Sequence, residues 1–118
     1  GGRIVAVSSL GAGRVAPGYA AIWASKAALE SLARYLAAEL APEGIVVNCV
    51  SAGPVESGTL RRLPGGERIL ALARERTPAR RLVRPEDVAA AVGFLCSPEA
   101  AMIVGQVVVV DGGLSVVL

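Results

Sequence analysis

Tyr19 and Lys26 are the two residues of this chain whose types and spacing best suit chemistry. Lys26 is the only lysine; every other basic side chain is arginine. At 100° per residue, seven positions bring Lys26 to within about 20° of Tyr19 on one helix face, roughly two turns along. A cation so placed can hold a hydroxyl of a ligand. It also favours the phenolate form of a neighbouring tyrosine, easing the release of its proton. Taken singly, Tyr19 could be an amphipathic residue at a helix start and Lys26 a solvated one. With Ser8 and Ser9 they form a polar cluster beside an apolar run, RIVAV at Arg3 to Val7.

Other chemistries are excluded by what is missing. Histidine is absent, which removes Ser-His-Asp hydrolysis and His-ligated zinc, and no metal site is expected. Cys49 and Cys96 stand far apart without a CxxC pattern and read as buried small hydrophobes in a reducing cytoplasm. The net charge of +2 and the 3% aromatic content give neither a basic stripe nor a stacking platform for nucleic acid. No apolar run approaches the ~20 residues of a membrane helix, and no signal peptide is expected.

These residues need elements to position them. Arg3 to Val7 predicts a buried strand that Ser8-Ser9 and Gly11 end. From Tyr19 to Ala41 the sequence is helix-forming, with Leu29, Leu32, Leu36 and Leu40 at helical spacing as a core stripe, until Pro42 and Gly44 stop it. Ile45 to Val50 is a second apolar strand. Glu56 to Gly66 reads as a loop with uncertain helix, Glu67 to Arg76 as a helix, and Pro85 to Cys96 as another, proline and two acids suiting its first turn. Val107 to Val110 is a third strand, closed by Asp111-Gly112-Gly113.

Strands apolar on both faces and joined by helices mean α/β architecture, a parallel sheet with helices on both faces. The 118 residues, 53% hydrophobic, fit one small globular domain. Three strands make a thin sheet, and the chain begins at Gly1 without methionine, so a segment of a longer protein is expected. In such sheets ligands gather at the carboxyl ends of the strands. Ser8-Ser9, Ser51 to Thr59 and Asp111 to Leu114 all fall there, with Tyr19 alongside.

At these residues the sequence resembles the short-chain dehydrogenase/reductase family. GGRIVAVSSLG, then Tyr19 and Lys26 within YAAIWASKAALESLARYLAAELAPEGIVVNCVSAGPV, then VVVVDGG follow the family's order and spacing across essentially the whole chain. Most members separate tyrosine and lysine by three residues; here six intervene, and Trp23 holds the usual lysine position. That spacing, with SSLGAGRVAPGY, TPARR and EDVAAAVGFLCS, is similar to the enoyl-acyl-carrier-protein reductase branch. Serine at Ser9, where many of that branch carry a second tyrosine, resembles the type III enzymes, which favour NADPH.

The resemblance implies the C-terminal part of a doubly wound Rossmann-type sheet. It also implies hydride transfer from NADPH, with NADH possible, to the β-carbon of a trans-2-enoyl thioester on acyl carrier protein or coenzyme A. Tyr19 would stabilise the enolate oxygen, Lys26 would hold the nicotinamide ribose, and Ser9 would order water or the substrate carbonyl. Gly53, Pro54 and Val55, with Ser57 and Thr59, would contact the nicotinamide amide and the diphosphate. The segment after Glu56 would be a lid, with Gly58, Gly65 and Gly66 permitting closure. Arg61, Arg62 and Arg68 could meet an acidic carrier, although a solvated basic face is the favoured account, surface arginines being common. Arg80-Arg81 is assigned to surface pairing. The long helix would also pack against a second subunit, giving a homodimer or tetramer.

The family's Gly-rich dinucleotide fingerprint, GxxxGxG opening a helix, does not occur. Gly11 to Gly13 leads toward Pro17 rather than into a helix. The isolated chain is therefore expected to bind cofactor poorly. Two alternatives remain beside the enoyl reductase: a ketone or alcohol reductase of the same family, and a non-catalytic piece or assembly partner.

Overall fold

The computed structural model describes residues 1–118. Three parallel strands lie in the order β1 (Arg3–Ser9), β2 (Val46–Ala52), β3 (Val107–Val110). The register sets Arg3 against Val46 and Ser9 against Ala52, then Cys49 against Val107 and Ala52 against Val110. The long helix α1 (Ala20–Leu40) connects β1 to β2. Between β2 and β3 come a short α2 (Gly58–Arg62), then α3 (Gly66–Arg76) and α4 (Pro85–Leu95); α5 (Leu114–Val117) follows β3.

β2 is the centre, with Val46 to Ser51 all buried. Its alternation places Val47 and Cys49 against Ala33 and Ala37 of α1. On the opposite face Val50 packs with Leu95 of α4 and Ala100. A strand covered by a helix layer on each side has no solvated face, so its run of apolar residues follows from the parallel topology. Burial also pushes the Cys49 thiol up, reinforced by Glu30 and opposed by Arg34, which keeps it un-ionised.

The core stripe of α1 differs from the leucine pattern. Its buried residues are Ala33 and Ala37, small enough for the helix to approach the sheet. Leu36 and Leu40 flank that contact, while Leu32 is 54% exposed. Helical periodicity identifies a face but not which side of it the sheet meets. The helix also begins one residue later than the sequence suggests, at Ala20, with Tyr19 as its cap.

One polar residue interrupts the apolar β2. Asn48 is fully buried, and both ends of its amide are used. Nδ2 donates to the Ile103 carbonyl at 2.6 Å, and Oδ1 accepts from Gln106 N–H at 2.9 Å. Main-chain bonds from Gly105 to Val47 and from Cys49 to Gln106, each 2.8 Å, bracket it. Asn48 therefore ties the segment entering β3 to the middle of the sheet. At the far end of β3, the buried Asp111 accepts from Gly113 and Ser115 N–H at 2.8 Å each. Its burial raises the carboxyl pKa, but the bonds from Ser115 and Gly113 and the charge of Arg14 hold it below its ordinary value.

Two stability tests follow from these buried groups. Asn48→Ala strands a carbonyl and an N–H in the interior, so urea unfolding should show a loss of about 3 kcal/mol. For Asp111 the folded pKa is depressed, so its stabilisation is complete above the unfolded value near ~4 and is lost as pH falls through the folded value. Acid titration of the thermal midpoint should show Asp111→Asn less stable at neutral pH, with a shallower decline below about pH 4. An unchanged acid slope would rule out that role.

Candidate active site

The carboxyl end of β1 brings Ser9, Tyr19 and Lys26 into one neighbourhood through α1, which packs on β1 and on the turn after it. Lys26 Nζ donates to the Val7 carbonyl at 3.0 Å. β1 is an edge strand, and the ammonium satisfies one of its main-chain oxygens. Four residues further along α1, Glu30 accepts from the buried Ser8 hydroxyl. Glu30 was not singled out from the sequence. Its signal was the i, i+4 spacing from Lys26, which puts both on the face toward β1.

Tyr19 is 3% exposed. Its hydroxyl donates to the Pro64 carbonyl at 2.6 Å, so the tyrosine lies beneath the segment between α2 and α3. Tyr19 caps the helix with φ −107° and ψ 3°, and the polar atoms of Tyr19 and Lys26 bond different carbonyls, Pro64 and Val7. The Tyr19 and Trp23 rings meet at 5.0 Å, tilted by 57°. Trp23 in turn occupies the space over Gly11, where any Cβ would come within 2.4 Å of the indole. That close approach accounts for a glycine in the turn after β1.

Several other expected residues have internal partners. Ser9 Oγ accepts from Gly11 N–H at 3.1 Å and so caps the short turn at Leu10–Gly13. Ser57 Oγ accepts from Leu60 N–H at 3.1 Å, capping α2; each hydroxyl keeps its own proton to donate. Gly53 is buried, and a Cβ there would lie 3.0 Å from the Asp111 side chain. Close packing on Asp111, rather than approach to a ligand, is what the fold itself requires of that glycine. Val55 forms a parallel bridge with Val83 beside the half-buried Pro54, and Thr59 is exposed on α2.

The arginines divide. Arg61 pairs with Glu56 and Glu67, while Arg62 and Arg68 are exposed and bridge to no carboxylate. Arg81 pairs with Asp87 at 2.7 Å, and that guanidinium, with the Arg84 N–H, holds the Asp87 carboxyl well below the usual range. Arg80 has no such partner, so surface pairing describes only one of the two. No three His, Cys, Asp or Glu side chains lie together as a metal site would need.

A family model described as enoyl-(acyl carrier protein) reductase matches residues 1–115. The 1-cyclohexenylcarbonyl-CoA reductase of Streptomyces collinus is 44% identical over 99% of this chain and 42% of its own length. The enoyl-[acyl-carrier-protein] reductase [NADH] FabI of Escherichia coli K12 is 41% identical over 98% of this chain and 44% of its own. Among solved structures, the Bacillus cereus enoyl-acyl carrier protein reductase with NADP+ and indole naphthyridinone superposes with a TM-score of 0.92. It is 34% identical, covering 99% of this chain and 46% of that one. The chain thus spans less than half the length of these relatives.

The Tyr19–Pro64 bond makes a local prediction. Tyr19→Phe removes the donor, and with about 1 kcal/mol lost, amide exchange over residues 58–66 should rise roughly fivefold. Exchange in β2 should stay unchanged. Equal protection of residues 58–66 in both proteins would show that the hydroxyl does not hold the segment.

Proposed function

The chain belongs to the enoyl-(acyl carrier protein) reductase family of short-chain dehydrogenases/reductases, and from that membership we propose that it is the C-terminal catalytic segment of an enoyl-thioester reductase. Its α/β sheet is of the Rossmann type. The reaction is reduction of the double bond of a trans-2-enoyl thioester, on acyl carrier protein or coenzyme A, by NADPH or NADH. The relatives lend support to both cofactors, one being named for NADH and another solved with NADP+. One observation carries the reading. Position 23 turns an indole toward Tyr19, and the cation arrives three residues later, where Lys26 reaches the Val7 carbonyl at the strand end.

The donor set suits the nicotinamide half of the cofactor. Lys26 spends one N–H on Val7 and has two left for ribose hydroxyls. The hydroxyl protons of Ser57 and Thr59 and the Val55 N–H offer donors for the carboxamide and phosphate oxygens, the Pro54 carbonyl can accept from the carboxamide N–H, and Gly53 permits close backbone approach. When bound, the cofactor supplies hydride to the β-carbon. Tyr19 then donates its hydroxyl proton in a hydrogen bond to the thioester oxygen as negative charge develops there, stabilising the enolate. For this it must release the Pro64 carbonyl, so lid movement precedes chemistry. Ser9, its oxygen engaged with Gly11, positions a water or the substrate carbonyl through its remaining proton.

Self-association as a dimer or tetramer is supported by exposed apolar side chains on α1, where Leu32 is 54% and Tyr35 68% exposed. Two unpaired cysteines suit a cytoplasmic setting. No helix is long and apolar enough to cross a membrane.

The test is NADPH oxidation with crotonyl and acetoacetyl thioesters, on the 118-residue chain and on a longer polypeptide that includes the N-terminal half of the relatives. The longer protein should reduce the enoyl substrate; turnover of the ketone alone would sink the assignment. In that protein Tyr19→Phe should lower kcat by about 10²-fold or more with cofactor affinity nearly intact. Lys26→Ala should weaken both, and unaltered cofactor affinity would remove the ribose role.

A further inference from the structure

Four arginines converge on a single concavity away from Tyr19. Arg74 of α3, Arg80 and Arg81 in the following loop, and Arg84 before α4 line an open groove of about 580 Å³, with Glu56 and Val83 among its other walls. Glu56 is the only carboxylate lining it, and that carboxylate is shared between Arg61 and Arg74. Arg81 is held by Asp87 through bonds of 2.7 and 2.9 Å. Arg80 forms no salt bridge, and Arg84 meets Asp87 through its main-chain N–H while its guanidinium forms no bridge. On a convex surface such charges diverge into solvent. Lining one groove, they repel one another and focus a positive field that an anion would relieve.

The backbone adds a second observation. Arg80 is the only non-glycine residue with positive φ, at 61°. Its N–H donates to the Thr77 carbonyl at 2.9 Å, closing a turn that glycine would hold without strain. The chain instead carries an unpaired guanidinium there. Val83, on the groove wall, bridges to Val55, and Glu56 directly follows Val55. The groove therefore adjoins the Gly53-Pro54-Val55 turn.

We propose that this groove is a phosphate-ester site. Arginine forks match phosphate oxygens two at a time, and a groove lined by four guanidiniums and one carboxylate suits a dianion better than a monovalent carboxylate. Resting on the enoyl-thioester reading for its source, the phosphate is that of the substrate's carrier arm. It is either the 4′-phosphate of pantetheine or the 3′-phosphate of coenzyme A, which share this chemistry.

Isothermal titration of the protein with pantetheine 4′-phosphate, adenosine 3′,5′-bisphosphate and unphosphorylated pantetheine tests it. At least one phosphorylated probe should bind, and which one identifies the source; pantetheine should not bind. The double variant Arg80→Ala/Arg84→Ala should weaken the phosphate probe about tenfold. Arg80→Gly keeps the turn and removes only the charge, so it should retain or raise the thermal midpoint while losing affinity. Failure of both phosphorylated probes, or equal affinity in a folded Arg80→Gly protein, overturns the proposal. These titrations read no hydride transfer, so their failure and failure of the enoyl assay are separate results.

Discussion

The buried amide of Asn48 is the contact on which the remaining geometry depends. A parallel sheet has no hairpins to set its register, so strand alignment must come from side chains and crossovers. Asn48 supplies it by holding Ile103 and Gln106 at once, which fixes where β3 begins against β2. Asp111 then follows four residues of strand later, at the height where Gly53 leaves β2. The turn at Gly53-Pro54-Val55, the start of the segment after Glu56 and the groove beside Val83 inherit their positions from that alignment. A polar residue in the densest part of the core costs stability unless satisfied. Here both amide ends are satisfied, and the return is specificity of register.

Around this frame the polar groups of the candidate site are occupied by the chain itself. Lys26 serves an edge-strand carbonyl, Tyr19 the Pro64 carbonyl, Ser9 and Ser57 the ends of two helical turns. Such an arrangement is closed but not inert. Each is a single hydrogen bond, worth about 1 kcal/mol net, and a ligand that offers better acceptors can exchange with it. The tyrosine differs from the others in being almost wholly buried. Its exchange therefore requires displacement of Pro64, coupling the position of the segment between α2 and α3 to the availability of the phenol.

The order of elements was legible in the sequence because period-2 and period-3.6 patterns follow from burial on one face or two. Arg3 to Val7, the long helix and Val107 to Val110 could be read in that way. Spacing and the rarity of lysine marked Tyr19 and Lys26 as a candidate pair in the same reading. What was not legible depends on contacts between distant segments. Asn48 looks like a minor interruption of IVVNCV until Ile103 and Gln106 are beside it. Gly53 reads as a turn glycine open to a ligand, and its close packing on Asp111 is visible only with the two segments side by side. The leucine stripe misled because leucine marks an apolar face, whereas close helix–sheet approach selects the small residues Ala33 and Ala37 instead.

The same reasoning accounts for the surface that remains. Over half of the residues are hydrophobic, yet 21 of 118 are buried, because a three-stranded sheet encloses only its central strand. Ile4 and Val7 on β1 stay 44% and 49% exposed, as does much of the outer face of α1. In the proposed larger Rossmann-type domain further strands would pair with the free edge of β1, and a second copy would cover α1. Lys26 connects these two levels. It satisfies a carbonyl at the exposed edge of β1, so strands added there would firm the platform that carries it. Completing the sheet and fixing this lysine are then one structural event, since both act on the carboxyl end of β1.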